Sequence, residues 1–544
     1  MPVISFSYPD FARLLGRDIG LERLVETAPM MGCEVARVEG ETVELEFFPN
    51  RPDLYSVEGV ARAMRAFLGI SPGMPRYELN DSNIDMTVEE SVQEVRPFVV
   101  CGAVRGLELS DETIRSLMDA QEKLHLTVGR RRSKASIGVH DLDRVKPPFT
   151  YKAVEPRSAR FVPLGRTEEM DLEEILRRHE KGVAFAPILE GKTGYPLIVD
   201  REGSVLSFPP IINGTLTEVT EETKSVFIDV TGTDYSAVSC ALNIMATALA
   251  ERGGRLETVV MRYPGRPPFR TPSLVSKKRS LDPAYANRIL GTRLSAEEMV
   301  ESLRRMMHEA APSGDRIEVL TPAFRADILH EIDLVEDIAI GHSFSRLDGE
   351  LPRAMTFGRE LPSELRAERA RRTMIGLGFN EVTTFALTCP AKQLDRAAAS
   401  EATELLNPVS EDQTILRTEL LPSLLEVLRV NRHHELPQRV FEAGEVVVNH
   451  RNRRRLAALF THSRASFTEA KSLALGVLRE LGLEGRCTLK PVERPGFIKG
   501  RCGGIYLESG GALLGWFGEL HPEAITAFEL SSPVAGLELE LDGW

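Results

Sequence analysis

The chain has 544 residues, of which 42% are apolar and 27% charged, and its formal net charge is −13. This composition is that of an ordinary globular protein, and the length allows about three or four domains. It argues against a membrane span of about 20 apolar residues, a secretory leader and a CxxC metal or disulfide framework, because none of these patterns is found. We therefore expect a cytoplasmic location and no membrane partner.

The first predicted elements lie before residue 80. Val3–Tyr8 alternates like a strand, and a short helix follows that Gly16 ends. Asn50–Asp53 is a predicted turn, because proline fixes φ while Asn and Asp bond to their own backbone. A helix comes next, with Gly69 as its expected C-cap. The apolar face of that helix consists of Val57, Val60, Ala61, Met64, Phe67 and Leu68.

The second segment begins with a polar stretch, residues 79–97, that is typical of a linker. Two apolar strands, Tyr195–Asp200 and Ser204–Pro209, then flank a predicted hairpin turn. Ser225–Val230 is a further strand, and Asp234 stands before an amphipathic helix. The proline-rich stretch Tyr263–Pro272 marks the next boundary.

The third segment is predicted to be helical. Pro283–Leu290 forms a helix stopped by Gly291, and Ser295 with Glu298 forms a capping box at the start of the next one. The inner face of that second helix is expected to carry Met299, Leu303, Met306, Met307 and Ala310. In the fourth segment, a helix over Ser363–Gly376 precedes strands around Arg439–Asn449.

Two basic runs interrupt this acidic chain, Gly129–Lys134 (GRRRSK) and Arg451–Arg455 (RNRRR). The net charge argues against a general nucleic-acid coat, because phosphate binding depends on lysine and arginine releasing counterions. A local basic surface on an acidic protein stays compatible with this charge. Runs of this kind are more often solvated loops than binding surfaces, and we expect solvated loops here.

An acidic cluster lies in the third segment. Asp333, Glu336 and Asp337 have the spacing i, i+3, i+4, so they share one face of a helix. Three neighbouring carboxylates repel one another unless a cation lies between them, and oxygen ligands favour Mg²⁺. Asp327, six residues before Asp333, is a further ligand if the preceding loop brings it close. The alternative is an exposed acidic face with Asp327 as the helix N-cap.

Five stretches taken together resemble one known family. They follow one another in that family's order and span nearly the whole chain: FPNRPDL (48–54), PPIINGTLTEVTEETKSVFIDVTGTD (209–234), TPAFRADILHEIDLVEDIAIG (321–341), LLNPVSEDQTILRTELLPSLL (405–425) and GELHPE (518–523). The chain resembles the β subunit of phenylalanyl-tRNA synthetase. Bacterial β subunits are longer, with an inserted OB-fold and an anticodon-binding domain, so the resemblance is to the archaeal/eukaryotic type.

The resemblance implies a multidomain α+β fold with four parts. An N-terminal α/β domain (1–79) precedes a tRNA-editing domain (80–266). A winged-helix-like domain (267–345) carries the acidic cluster, and residues 355–544 form a degenerate class II aminoacyl-tRNA synthetase domain with an antiparallel sheet. The family also implies an α subunit as partner in an α2β2 heterotetramer that binds tRNA-Phe. ATP and phenylalanine would be bound through the α subunit, and Mg²⁺ through Asp327, Asp333, Glu336 and Asp337 at the subunit interface.

The resemblance further implies that the second segment hydrolyses tyrosine wrongly attached to tRNA-Phe. A pocket for phenylalanine cannot strongly reject an isostere with one added hydroxyl, so a second site is needed. No Cys–His or Ser–His pair stands near, which favours a positioned water over a covalent nucleophile. Alternatively, the polar residues serve only as turns and caps. The editing candidates are Ser207, Asn213, Asp229, Thr231, Thr233 and Asp234, with Thr223 as a further polar group.

The fourth segment lacks the class II motifs that handle ATP. The F-R-x-E motif places Arg and Glu on one face of a strand, whereas here Arg439 and Glu442 are three apart and are predicted to face opposite ways. The G-x-G-x-x-R motif has only Gly515–Leu520 as a candidate, without the arginine. We therefore expect that the chain does not activate phenylalanine by itself.

Three other functions remain as alternatives. A free-standing editing hydrolase would not need the acidic cluster or the dimer-forming stretch, and a non-catalytic scaffold would keep the polar residues as turns and caps. The third is a DNA-binding regulator that uses Arg304 and Arg305 of the winged-helix-like segment. Phosphates would be repelled there by neighbouring acids, namely Glu297, Glu298, Glu301 and Glu309.

Overall fold

The computed structural model describes residues 2–192, 194–352, 355–394, 401–542 and 544. The chain divides into two compact units, Met1–Leu351 and Pro352–Trp544, which are described separately. Within the described residues, none of the helices combines the length and apolar character that a membrane crossing requires.

The first unit opens with a small antiparallel sheet of order β1-β3-β2 and its helices. As predicted, a strand leads into a helix that ends at Gly16 in the left-handed conformation. The later helix also forms, although it ends at Phe67 and the predicted cap, Gly69, lies two residues beyond. The elements are β1 (Val3–Ser7), α1 (Tyr8–Leu15), α2 (Leu21–Thr27), β2 (Cys33–Glu39), β3 (Thr42–Phe47) and α3 (Val57–Phe67).

A large mixed sheet follows in the same unit. Its described strands run in the order β12-β11-β10-β7-β4-β14-β5-β13-β6, with β15 paired to β14 and β8 paired to β9 outside it. The elements are β4 (Leu79–Val88), β5 (Phe98–Arg105), α4 (Asp111–Leu126), β6 (Ala135–Asp141), β7 (Phe149–Val154), β8 (Arg160–Phe161), β9 (Met170–Asp171), α5 (Leu172–Arg178), α6 (Glu180–Phe185), β10 (Tyr195–Val199), β11 (Val205–Phe208), β12 (Ile212–Asn213), β13 (Ser225–Gly232), α7 (Tyr235–Glu251), β14 (Arg255–Arg262) and β15 (Phe269–Thr271).

The predicted hairpin between β10 and β11 is confirmed, as is the helix start at Asp234, whose side chain accepts a hydrogen bond from the Ala237 amide. The predicted linker is wrong. Residues 79–88 form strand β4, in which Ser82, Ile84, Met86 and Val88 alternate as buried positions. Polar residues at the strand's start obscure this alternation in the sequence.

The last part of the first unit along the chain combines a sheet of order β16-β18-β17 with helices. The helix stop at Gly291 and the Ser295–Glu298 capping box are confirmed. The second helix is shorter than predicted, because it ends at Arg305 and Ala310 belongs to the next strand. The elements are β16 (Lys277–Leu281), α8 (Pro283–Leu290), α9 (Ala296–Arg305), β17 (Glu309–Ser313), β18 (Arg316–Thr321) and α10 (Glu331–His342).

The second unit is built on a sheet whose described strands run β19-β22-β23-β27-β26-β25-β24, antiparallel except for the β19–β22 pair. Its two faces pack against different helices, α11 and α13 on one and α12 on the other. The elements are α11 (Pro362–Gly376), β19 (Asn380–Glu381), β20 (Leu387–Thr388), β21 (Ile415–Leu416), α12 (Leu421–Val430), β22 (Gln438–Val448), β23 (Arg451–Thr461), α13 (Phe467–Glu480), β24 (Cys487–Pro491), β25 (Phe497–Leu507), β26 (Leu513–Leu520), α14 (Pro522–Ala527) and β27 (Val534–Glu540).

The basic run Arg451–Arg455 is not a solvated loop but the start of β23. Arg455 is largely covered and forms ion pairs with Glu538 and Glu540 of the neighbouring strand. Arg454 pairs with Glu364 and Glu445. Carboxylates within this unit therefore neutralise much of the run.

Candidate functional site

A cavity of about 600 Å³ opens in the first unit beside the β6, β11 and β12 strands and helix α4. Its volume falls in the range of pockets that hold small molecules. Most of its wall is apolar, so a group that enters it leaves water. The apolar lining consists of Ile114, Leu117, Met118, Ile137, Val139, Leu164, Phe208, Pro209, Pro210, Ile211, Ile212 and Val219.

Three of the predicted site residues, Ser207, Asn213 and Asp229, line this cavity. Ser207 and Asn213 are cross-strand neighbours on β11 and β12, and Asn213 ends its short strand. The Asn213 Nδ2 donates to the Val139 carbonyl at 3.3 Å. The Ser207 hydroxyl is buried and has no hydrogen-bond partner among the described residues.

Asp229 is held by a residue that the sequence did not single out. The His140 Nε2 lies 2.7 Å from the Asp229 Oδ1, and its Nδ1 lies 2.8 Å from the Thr217 Oγ1. Both His140 and Asp229 are buried. The pair fits only because Gly138, opposite Asp229 on β6, has no side chain: a Cβ there would lie 2.4 Å from the Asp229 Oδ1. The Asp229 carboxylate that lines the cavity is therefore held in a fixed orientation.

The other predicted residues do not line the cavity. Thr223 is buried and donates to Asp141 at 2.7 Å. Thr231, Thr233 and Asp234 instead support residues 129–134, which we call the arginine loop. The Thr233 amide donates to the Lys134 carbonyl at 3.0 Å, and Asp234 forms an ion pair with the Lys134 ammonium at 3.2 Å.

Arg96 connects Thr231 to the arginine loop. Its guanidinium is buried and makes five hydrogen bonds to described residues, which are to Thr231 Oγ1 and O, Ser136 Oγ, and the carbonyls of Arg132 and Ser133. No carboxylate of the described chain forms an ion pair with it. Burial lowers the pKa of Arg96 to about 10. A charged group in this position requires all of these acceptors.

The arginine loop has an unusual backbone. Arg130, Arg131 and Arg132 have φ values of 46°, 53° and 68°, so three successive residues adopt the left-handed conformation. This conformation costs about 1–2 kcal/mol for each residue with a Cβ. Arg132 turns inward, where it lines the cavity and donates to the Ile211 carbonyl at 3.0 Å and to Glu122 at 2.6 Å. Arg130 and Arg131 are exposed.

The acidic cluster does not converge on one point. The Asp333 Oδ2 accepts from the amides of Leu329 and His330 at 2.7 and 2.6 Å, as part of the capping box of α10. Glu336 is exposed on the same helix. Partial burial, then the carboxylates of Asp337 and Asp327, raises the pKa of Glu336. The alternative prediction that Asp327 caps the helix is wrong, since His330 holds that position.

Arg325 takes the place expected for a metal between two members of the cluster. It donates to both oxygens of Asp327, at 2.8 and 2.6 Å, and to the Asp337 Oδ2 at 2.7 Å. The His308 Nε2 lies 2.6 Å from that same oxygen. Although burial alone would raise it, Arg325 and His308 hold the pKa of Asp337 far below its usual range. In the described chain, no three His, Cys, Asp or Glu residues are arranged to hold a metal ion. The four carboxylates therefore do not fit a self-contained Mg²⁺ centre.

In the second unit, the predicted orientation of the motif residues is confirmed. The Arg439 guanidinium lies 5.8 Å from the Phe379 ring centroid, on the face that packs against α11 and α13. Glu442 is buried on the opposite face, where its Oε1 accepts from Arg417 at 2.7 Å. Arg439 and Glu442 cannot jointly bind one nucleotide.

Comparisons with known proteins agree along the whole chain. The B3/4 domain model matches residues 108–260, the tRNA synthetase B5 domain model residues 279–344, and the phenylalanyl tRNA synthetase beta chain CLM domain model residues 347–541. The chain is 47% identical to the phenylalanine–tRNA ligase beta subunit of Methanothrix thermoacetophila, over 99% of this chain and 100% of that protein. It is also 47% identical to that of Archaeoglobus fulgidus, over 100% and 99% respectively.

One solved structure gives the same result for the fold. An N-terminal fragment of the phenylalanyl-tRNA synthetase beta subunit from Pyrococcus horikoshii superimposes with a TM-score of 0.61 and 42% identity. The match covers 63% of this chain and 99% of the fragment.

Replacing Arg96 by methionine should release the arginine loop. The change removes the hydrogen bonds that Arg96 donates to the carbonyls of Arg132, Ser133 and Thr231, and we expect a loss of about 3 kcal/mol or more in the free energy of unfolding. Limited trypsin digestion should then cleave at Arg130–Arg132 faster than in the unchanged protein. The control is Arg157→Met, which removes an exposed arginine from the same unit. Equal cleavage rates for both variants would contradict the assigned role of Arg96.

Replacing Arg325 by methionine should destabilise the first unit most at neutral pH. Breaking a buried ion pair costs about 3–5 kcal/mol. The depressed pKa of Asp337 stabilises the fold above the unfolded value of about 3.9, and this contribution is lost as the pH falls below it. Without Arg325, Asp337 gains a proton more readily, because Arg325 is the largest of the interactions that lower its pKa. Urea denaturation should therefore show a difference between the proteins that is largest at neutral pH and narrows as the pH falls below about 4; a difference that stays constant down to the lowest pH at which both proteins fold would exclude this explanation.

Proposed function

This chain belongs to the archaeal type of the phenylalanine–tRNA ligase beta-subunit family, and on that premise we propose that its cavity hydrolyses tyrosine wrongly esterified to tRNA-Phe. The observation that carries the proposal is the composition of the cavity. Ser207, Asn213 and Asp229 line a space whose wall is more apolar than polar, although charged side chains such as Arg132 and Glu180 also line it. A tyrosyl group has the same distribution of polarity, with an apolar ring and one hydroxyl at its end.

Asp229 is the group that we assign to recognition of the hydroxyl. His140 holds one carboxylate oxygen, and the other accepts no hydrogen bond from a described residue. A bound phenylalanyl group would leave this oxygen buried and unpaired, whereas a phenolic O–H would donate to it. Discrimination of this kind is strong, because the wrong ligand pays the cost of an unsatisfied polar group.

The reaction itself requires one water molecule. Its oxygen attacks the ester carbonyl carbon, the bond from that carbon to the ribose oxygen breaks, and the ribose oxygen takes up a proton. Free tyrosine and uncharged tRNA result. In this proposal the Ser207 hydroxyl and the Asn213 side chain, which both belong to the cavity wall, orient the ester and the water.

The rest of the chain has supporting roles in this proposal. We divide it into an N-terminal domain (1–79), an editing domain (80–266), a winged-helix-like domain (267–345) and a class II synthetase-like domain (355–544). The last of these lacks the ATP-handling motifs, so activation of phenylalanine with ATP is assigned to an α subunit in an α2β2 complex. That complex, in which this chain contributes to tRNA-Phe binding, attaches phenylalanine to the tRNA.

Fewer carboxylates are available to bind Mg²⁺ than the four that the sequence predicted. Asp327 and Asp337 are engaged by Arg325, whereas Asp333 and Glu336 form no ion pair with a described residue. Mg²⁺ usually takes one or two carboxylates and keeps several waters. We propose that these two residues hold it only when the α subunit supplies further ligands, where the ion would neutralise charge at the interface.

The editing proposal is tested with Asp229→Asn in the complex with the α subunit. Loss of a charge-assisted hydrogen bond should lower kcat/KM for deacylation of Tyr-tRNA-Phe by about 10- to 100-fold, and it should lower the preference for Tyr-tRNA-Phe over Phe-tRNA-Phe. The same assay with Asn213→Ala should show a smaller loss. Asp171→Asn is the matched control, because Asp171 caps helix α5 outside the cavity. An Asp229→Asn variant as active and selective as the control would remove Asp229 from the site.

The subunit role is tested by co-expression with a candidate α subunit. Light scattering after size exclusion should give a mass near twice that of one α plus one β chain. Phenylalanine-dependent pyrophosphate exchange and aminoacylation should require both chains. Robust exchange by this chain alone would refute the assignment, and a chain that stays alone yet deacylates Tyr-tRNA-Phe would favour a free-standing editing hydrolase.

A further inference from the structure

The arginine loop, residues 129–134, has a feature that the cavity does not explain. Its two outward arginines, Arg130 and Arg131, are exposed, and their guanidinium groups form no ion pair or hydrogen bond within the described chain. In contrast, Arg454 and Arg455 of the other basic run pair with carboxylates. Two neighbouring guanidinium groups without acidic partners are a local positive site on an acidic protein.

The loop is built to hold this arrangement. Because three successive residues are left-handed, the Arg132 side chain lines the cavity, whereas Arg130 and Arg131 stay on the outside. The buried Arg96 guanidinium donates hydrogen bonds to the carbonyls of Arg132 and Ser133 and so holds the loop backbone in place. A strained backbone persists only where surrounding contacts enforce it, and such positions are often functional.

The position of the loop indicates what it binds. Arg131 directly precedes Arg132, whose guanidinium lines the cavity, and consecutive Cα atoms are only about 3.8 Å apart. A ligand chain that leaves the cavity on the side of Arg132 would therefore pass close to this loop. Guanidinium groups bind phosphate through paired N–H donors, which makes a phosphodiester strand the best match.

We propose that Arg130 and Arg131 are positioning residues that bind backbone phosphates near the 3′ end of an RNA strand whose terminal aminoacyl group occupies the cavity. This proposal rests on the proposed editing function. It adds that part of the substrate's affinity comes from two phosphate contacts outside the cavity. These contacts carry no information about the amino acid, so selectivity stays with the cavity.

The test compares substrates with and without phosphates, using the complex with the α subunit. For the double variant Arg130→Gln/Arg131→Gln, the KM for deacylation of Tyr-tRNA-Phe should rise about 2- to 30-fold, the range for losing two exposed charge contacts, while kcat stays nearly constant. The slope of log(kcat/KM) against log salt concentration should become shallower by about 1.4, since each lost contact to a single strand accounts for about 0.7. Hydrolysis of 3′-tyrosyl-adenosine, which lacks phosphates, should keep its kcat/KM.

Two further variants separate charge from structure. Arg130→Lys/Arg131→Lys retains both positive charges and should recover most of the salt dependence. Arg17→Gln/Arg23→Gln removes two exposed arginines from the N-terminal part of the same unit and should match the unchanged protein. A KM and a salt slope that are unaltered in the Arg130→Gln/Arg131→Gln variant would overturn the proposal.

Failure of the proposed function gives a different result. If the unchanged protein hydrolyses neither Tyr-tRNA-Phe nor 3′-tyrosyl-adenosine, the editing assignment fails. Phosphate binding by the arginine loop is then tested separately, by measuring the binding of an uncharged acceptor-stem hairpin with fluorescence anisotropy. If the Arg130→Gln/Arg131→Gln variant binds the hairpin more weakly than the Arg17→Gln/Arg23→Gln control, the loop is a phosphate site. Equal binding by the two variants would show that it is not.

Discussion

The buried guanidinium of Arg96 is the constraint on which the candidate site depends. A cation removed from water needs several acceptors, because desolvation costs more than one hydrogen bond returns. Arg96 finds them on strands β6 and β13 and in the arginine loop, through Ser136, Thr231 and the carbonyls of Arg132 and Ser133. Satisfying one side chain therefore joins the sheet to the loop. The left-handed turn persists because this network leaves its backbone no other conformation.

Other buried arginines solve the same problem elsewhere in the chain. Arg252, at the end of α7, binds Asp10 and Glu58, and Arg325 binds Asp327 and Asp337. Arginine suits these sites because its planar fork serves several acceptors at once. Buried ion pairs add little net stability, but removing one partner is costly, so they mainly specify geometry. In the acidic helix, Arg325 thereby decides which carboxylates remain available to a metal.

Local elements were predictable because their causes lie within a few residues. The capping box of Ser295 and Glu298, the helix stop at Gly291 and the cap at Asp234 each depend on hydrogen bonds to the adjacent turn. Strand β4 was missed for the opposite reason. Its polar start, at residues 80–83, reads as a linker, and only pairing with β7 and β14, which follow it by many residues, makes it a strand of the sheet's interior. Long-range pairing overrides local composition.

In the candidate site, one strand shows both a feature that local sequence determines and a feature that long-range pairing determines. Asp229 and Thr231 are two apart on β13, so alternation places both on one face, and both were predicted as site residues. Register with β6 sets Gly138 opposite Asp229, which gives the carboxylate room to meet His140 and the cavity. Register also sets Ser136 opposite Thr231, where Arg96 covers the hydroxyl. The sequence of β13 alone does not show that Asp229 lines the cavity whereas Thr231 is covered. Residues on β6 and the side chain of Arg96 determine this difference. Chemistry at this site therefore depends on strand register as much as on residue type.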